Sequence, residues 1–324
     1  MSSPFEGYEV EARLRPVAQA CAFDLDRTLS AVVALEARVP DDAFTASTLG
    51  TERVGNGSVI SPNGLVLTIG YLVTEAVEVS LTLNDGRRVA AHVLGSDPVT
   101  GFGLVQALEP LGLPALPLGD SRTLKANAAV IIAGGGGRAH CAAGHVLARM
   151  PFAGYWEYLL DEAILAEPVH PHWSGAALLG SAGELLGVGS LSLQRQSQTG
   201  VTPLNLFVPS ELLPPILDDL ARGKRPYPPR PWLGVLAQDI GDRVVVVGVS
   251  PGGPAAHAQL QSEDIILAVA GRAISGLADF YTQLWAQGPA GVTIPLQVQR
   301  ERDVFNVEIR SVDRTALLKK PKFN

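Results

Sequence analysis

From residue 52 to residue 215 the chain is written as short apolar, β-rich runs broken at regular intervals by turn residues, and this pattern admits few folds. Val59-Ile60-Ser61 and Leu65-Val66-Leu67-Thr68 flank Pro62-Asn63-Gly64, a hairpin signal. Residues 77–83 and 87–94 flank Asn84-Asp85-Gly86, a second hairpin. Val130–Ala133, Gly144–Ala148, Ala176–Leu179 and Leu185–Leu193 read as further strands. Regular short strands of this kind predict a mainly β protein built as barrels or sandwiches.

The flanks read differently. Over residues 11–37, Leu14, Val17, Ala18, Cys21, Leu25, Leu29, Val32, Val33 and Leu35 recur at helical spacing, so a helix is expected until Pro40 ends the pattern. A closing helix is expected over Glu211–Ala221. Residues 222–231 carry four prolines among charged and glycine positions and read as a linker. An α+β unit follows over 232–314: strands at 243–249, 265–269, 292–299 and 304–309, with helices at 254–260 and 277–286. The expected division is a helical segment (1–44), a β domain (45–221), a Pro-rich linker (222–231), the α+β unit and a basic tail (315–324).

Composition sets outer bounds. The chain has 324 residues, enough for two or three domains, and 47% of them are hydrophobic, enough for buried cores. The net charge is −7 and no basic stretch is longer than Lys319-Lys320-Pro321-Lys322, so nothing clusters enough cations for a nucleic-acid backbone. No apolar run reaches the ~18 residues that would span a membrane. Residues 1–16 are polar and lack the apolar core of a secretory signal, so a cytoplasmic protein is expected. Cys21 and Cys141, far apart in sequence, are expected as reduced thiols. Gly134–Gly137 lacks the following Lys-Ser/Thr of a phosphate cradle and reads as a flexible hairpin loop, so no cofactor is expected.

Several stretches, in order and at matching spacing, resemble the HtrA/Deg family of serine proteases. They are Gly57-Ser58-Val59-Ile60-Ser61-Pro62-Asn63-Gly64 with Leu67-Thr68, then Leu83-Asn84-Asp85-Gly86-Arg87 with Gly95-Ser96-Asp97-Pro98. Leu113–Ser121 and Ser174-Gly175 follow. The likeness covers residues 45–312 and implies a chymotrypsin-like double β-barrel followed by a PDZ domain. It implies a peptide-binding loop at Trp232-Leu233-Gly234-Val235, whose amides would grip a C-terminal carboxylate while the peptide adds as a strand beside Leu233–Ala237. The implied partners are peptides or protein C-termini. The family also implies trimers formed through N-terminal aromatic residues, for which Phe5 and Tyr8 are the candidates.

The departures fall on the catalytic machinery. The resemblance places the nucleophile at Ser174, but Tyr71 stands at the family's histidine position and Gly101 at its aspartate position. His172 replaces the glycine two residues before the serine, where the backbone turns its N–H toward the oxyanion. A serine hydroxyl needs a base to take its proton, and a phenol with a pKa near ~10 is a poor one. Losing one member of a catalytic triad costs about 10⁴ to 10⁶ in turnover. An inactive protease homologue that binds peptides as adaptor, scaffold or chaperone-like factor is therefore expected. The alternative is an active endopeptidase whose Ser174 takes its base from His170 or His172. The pair His170 and His172 also suggests a metal site, but it supplies two of about four ligands, so no metal is expected.

Overall fold

The computed structural model describes residues 4–197 and 200–319. Half of the expected basic tail, residues 320–324, lies outside the described residues. Two closed, antiparallel six-stranded barrels come first. The first contains β1 (Val32–Arg38), β2 (Glu52–Ser61), β3 (Leu65–Ile69), β4 (Glu78–Thr82), β5 (Arg88–Ser96) and β6 (Phe102–Ala107), in the order β1-β2-β3-β6-β5-β4. The second contains β7 (Ala129–Ala133), β8 (Cys141–Gly154), β9 (Tyr158–Glu167), β10 (Ala177–Leu179), β11 (Leu185–Ser197) and β12 (Gly200–Pro209), in the order β10-β11-β12-β9-β8-β7. Closure leaves no free sheet edge. Val66, Leu104, Ile132, Leu178 and Phe207 are fully buried.

The expected hairpins are in place. Asn63 Oδ1 accepts from the Leu65 amide at the tip between β2 and β3, and Asp85 Oδ1 accepts from the Arg87 amide between β4 and β5. The helix expected over 11–37 is not. Only Leu25–Ser30 is α-helical, capped by Asp24, whose carboxylate accepts from the Arg27 amide. Residues 32–38 instead form β1, which pairs with β2 and β4 and closes the first barrel. The apolar run Val32-Val33-Ala34-Leu35 fits a helix face equally well, and pairing with β2 and β4, with all four side chains buried on one face of the strand or the other, selects the strand. The boundary expected at residue 45 would therefore cut a barrel strand away. The closing helix is also shorter than expected. Pro214 and Pro215 break it into a 3₁₀ turn at Ser210–Leu212 and a helix at Leu217–Ala221.

The chain separates into two compact units. One takes in the chain up to Met150, Glu162–Pro226 and the end from Lys319; the other joins Pro151–Asp161 to Tyr227–Leu318. The second unit contains the sheet β13 (Val235–Ile240), β14 (Arg243–Val249), β15 (Ile265–Val269), β17 (Thr293–Arg300) and β18 (Asp303–Arg310), with the two-residue β16 (Arg272–Ala273) paired to β15. Helix Leu277–Trp285 buries Leu277, Phe280, Tyr281 and Leu284 on the core formed by Leu233, Val246, Ile294 and Val298. Among the described residues, no helix is long and apolar enough to cross a membrane.

Candidate functional site

Ser174 and Tyr71 meet. Tyr71 lies on a one-turn helix, Gly70–Val73, that follows β3 directly. The Arg53 guanidinium holds the turn by donating to the carbonyls of Tyr71 (2.6 Å) and Thr74 (2.9 Å). The Tyr71 hydroxyl donates to Ser174 Oγ at 2.8 Å and lies 2.9 Å from the Ser190 carbonyl oxygen. A carbonyl oxygen only accepts, so the Ser190 contact favours the protonated phenol. Burial pushes the phenol up to about 12, against the lowering effect of its hydrogen bond to Ser174. A phenolate at this position would face the Ser190 oxygen. The group beside the serine therefore holds its proton at neutral pH.

Gly101 reaches the same place through its backbone alone. Its carbonyl accepts from the Gly70 amide at 2.6 Å, one residue before Tyr71, and its φ is +86°. No side chain projects there to orient or charge a neighbour.

The turn carrying Ser174 is built around Asn56, which the sequence reading missed. The Asn56 amide group donates to the carbonyls of His172 (2.7 Å) and Ser174 (3.0 Å), and Oδ1 accepts from the Gly135 amide (2.8 Å). Gly175 packs so closely on this residue that a Cβ would stand 2.0 Å from the Asn56 carbonyl oxygen, and its φ is +72°. An asparagine in a strand gives no sequence signal for such a role. Gly134–Gly137, expected as a flexible loop, is packed. The Gly136 amide donates to Asn84 Oδ1, a Cβ on Gly135 would meet the Ala34 nitrogen at 2.3 Å, and a 3₁₀ turn runs over Gly137–His140.

The histidines do not supply a base. His170 is buried, and its Nε2 lies 3.1 Å from the His140 carbonyl, so that nitrogen carries the proton. Its Nδ1 accepts from the His172 amide at 3.2 Å. Both ring nitrogens are engaged, and burial pushes this imidazole down to about 4. The His172 N–H, which the resemblance assigned to the oxyanion turn, thus points at an imidazole. The His172 ring packs on Phe5 (4.2 Å between centroids) and edge-on to Tyr8 (4.9 Å). None of the hydrogen bonds among the described residues joins an imidazole to Ser174. His145 pairs instead with Glu167. Phe5, expected at a trimer contact, is buried in its own chain, where its ring packs on that of His172. No group of three or more His, Cys, Asp or Glu side chains among the described residues could hold a metal ion. Cys21 and Cys141 are free thiols.

The loop Trp232-Leu233-Gly234-Val235 precedes β13, as expected for a carboxylate cradle, but it is filled from within the chain. Glu157, at the tip of the hairpin between β8 and β9, places Oε1 2.7 Å from the Gly234 amide, 2.9 Å from that of Val235 and 3.1 Å from that of Leu233. The Tyr155 carbonyl accepts from the Ala237 amide on β13 at 3.0 Å. The Tyr281 hydroxyl donates to the Gly154 carbonyl at 2.8 Å and accepts from the Glu157 amide at 3.2 Å. Glu157 is buried, with φ +59°, and desolvation pushes its carboxyl up to about 7 against the lowering by the three amides and Arg314. Glu157 had no sequence signal, because its partners are backbone amides that no side-chain pattern records.

Comparison with known proteins agrees with this architecture. Residues 55–188 match the family model for the trypsin-like peptidase domain, and residues 231–310 that for the PDZ domain. A probable periplasmic serine endoprotease, DegP-like, of Pseudomonas fluorescens is 27% identical over 275 residues, 80% of this chain and 56% of that protein. Serine endoprotease DegS of Escherichia coli is 26% identical over 283 residues, 81% of this chain and 77% of that protein. The chain thus spans about half the length of the DegP-like relatives. In fold it is similar to the HtrA-type protease AlgW solved with a decapeptide (TM-score 0.54, 22% identity, 92% of this chain and 98% of that one). It is likewise similar to the serine endoprotease from Yersinia pestis (TM-score 0.52, 24% identity, 89% and 95%). The names of the relatives contradict the expected cytoplasmic location, since several are called periplasmic. The expectation rested on polar residues 1–16, and a leader that is cleaved leaves no trace in a mature chain, so those residues say nothing of compartment.

Proposed function

We propose a non-proteolytic, peptide-binding role in the periplasm for this chain, which belongs to the HtrA/Deg family of trypsin-like serine proteases with a C-terminal PDZ domain. The observation that carries the reading is the contact between Tyr71 and Ser174. A proton acceptor is needed at that place, and a phenol held above its ordinary pKa keeps its own proton there. Gly101 leaves the orienting position without a carboxylate, and the His172 amide is spent on His170 instead of an oxyanion. Three of the groups that acyl transfer needs are thus absent or diverted, while the barrels and the PDZ unit keep their cores. What remains for the chain is recognition of extended or C-terminal peptide segments, as an adaptor or a chaperone-like factor.

Incubation of the purified protein with unfolded β-casein tests the reading. The wild type and Ser174→Ala are expected to leave the casein equally intact. Cleavage by the wild type that Ser174→Ala abolishes would overturn it.

A further inference from the structure

Three aligned amides leading into the edge strand β13 form a cradle for a carboxylate, and the amides further along β13 can pair with an added peptide strand. The hairpin of residues 151–161 occupies both. Its Glu157 carboxylate accepts from the amides of Leu233, Gly234 and Val235, and two residues earlier the Tyr155 carbonyl accepts from Ala237. A carboxylate at the cradle and a carbonyl paired two residues back is the spacing that a bound chain end would show. The difference is that the carboxylate here is a side chain and the chain continues. Glu157 accommodates this by turning at φ +59°, which sends the backbone away into β9. Tyr281, buried on helix Leu277–Trp285, clamps the turn from the other side through Gly154 and Glu157. Ala153 and Leu159 pack on the PDZ core.

We propose that the hairpin is an internal ligand of the cradle, and that a chain ending in a free carboxylate occupies the cradle only by displacing Glu157. The second half rests on the peptide-binding reading above; the first half stands on the contacts alone. The occupant also defines the competitor. An external ligand needs a terminal carboxylate for the three amides and an extended backbone for β13, so an amide-capped end is excluded. The groove is closed until a ligand presents both features.

The test uses the full chain, Glu157→Ala and the shape-conserving Glu157→Gln. Hydrogen exchange at the amides of residues 233–235 reads the plug. A synthetic peptide Phe-Ala-Gly-Tyr-Trp-Val, with a free or an amide-capped C-terminus, reads the competition. In Glu157→Ala, protection of those amides is expected to fall at least tenfold, and the free-carboxylate peptide is expected to bind at least tenfold more tightly than to the wild type. The capped peptide is expected to bind neither. Should Glu157→Ala fail to fold, Glu157→Gln is expected to shift both readings in the same direction by severalfold. Unchanged protection in a folded variant overturns the plug. Equal peptide affinity in wild type and variant overturns the displacement while leaving peptide binding intact. Lost protection with no peptide bound by any form supports the plug and overturns the peptide-binding reading.

Discussion

The Tyr71 hydroxyl donates to Ser174 Oγ across 2.8 Å, so the serine of this trypsin-like domain faces a proton donor where its chemistry needs an acceptor. Restoring the acceptor alone is not expected to restore turnover. Tyr71→His has no carboxylate behind it, because position 101 presents only backbone at φ +86°. In peptidase assays Tyr71→His is expected to match Ser174→Ala. The double variant Tyr71→His/Gly101→Asp is expected to remain impaired until His172→Gly frees the turn, a step worth about 10²-fold when an oxyanion donor is regained.

The serine turn is expected to be intolerant at Gly175. A Cβ there would meet the Asn56 carbonyl oxygen at 2.0 Å with φ at +72°, so both the space and the backbone oppose a side chain. Gly175→Ala is expected to lower unfolding free energy by about 3 kcal/mol. Asn56→Ala, which orphans the Gly135 amide and the His172 carbonyl while the Ser174 carbonyl keeps the residue 56 backbone amide, is expected to cost about 2 to 3 kcal/mol. Urea denaturation followed by circular dichroism checks both.

Most of the fold was legible in the sequence. The hairpins at Pro62-Asn63-Gly64 and Asn84-Asp85-Gly86 follow from turn chemistry between β-branched runs, and the fit to barrels follows from their number. β1 was not legible, because a four-residue apolar run satisfies either period and only barrel closure decides it. Of the serine site, the residue types at 71, 101, 172 and 174 were readable, but the partners were not. The engagement of the His172 amide by His170, and of the Leu233–Val235 amides by Glu157, are side-chain-to-backbone contacts over long sequence separations. Local patterns carry no record of such contacts.

His170 is expected to stay neutral far into acid. Its buried ring, already donating to His140 and accepting from His172, is held down to about 4, below the 6.5 of a free imidazole. Between those values the unfolded chain binds a proton that the folded chain refuses, so stability falls as pH drops from 6.5 towards 4. The loss is on the order of 3 kcal/mol. Ring carbon chemical shifts in an NMR titration are expected to show no His170 titration between pH 5 and 8.

The Glu157 contact is expected to respond to pH in the opposite direction. Desolvation raises its carboxyl to about 7, above the ordinary 4.5, so the docked hairpin binds protons more readily than a released one. Docking is strongest below 4.5, weakens as pH rises to about 7 and changes little above that. Arg314, which opposes the rise, and Tyr281, which touches the turn, keep their charge states over this range. A carboxylate-ended peptide is therefore expected to bind roughly tenfold more weakly at pH 5.5 than at pH 8. Isothermal titration of the wild type and Glu157→Gln checks this, because the variant should lose most of the dependence.

The account turns on whether Ser174 is a nucleophile, and a fluorophosphonate probe asks that directly, since labelling requires an activated hydroxyl. Purified protein and Ser174→Ala would be incubated with the probe and their masses compared. The account predicts no adduct on either. A stoichiometric adduct on the wild type that Ser174→Ala removes would contradict it, and would mean that a base reaches Ser174 in solution.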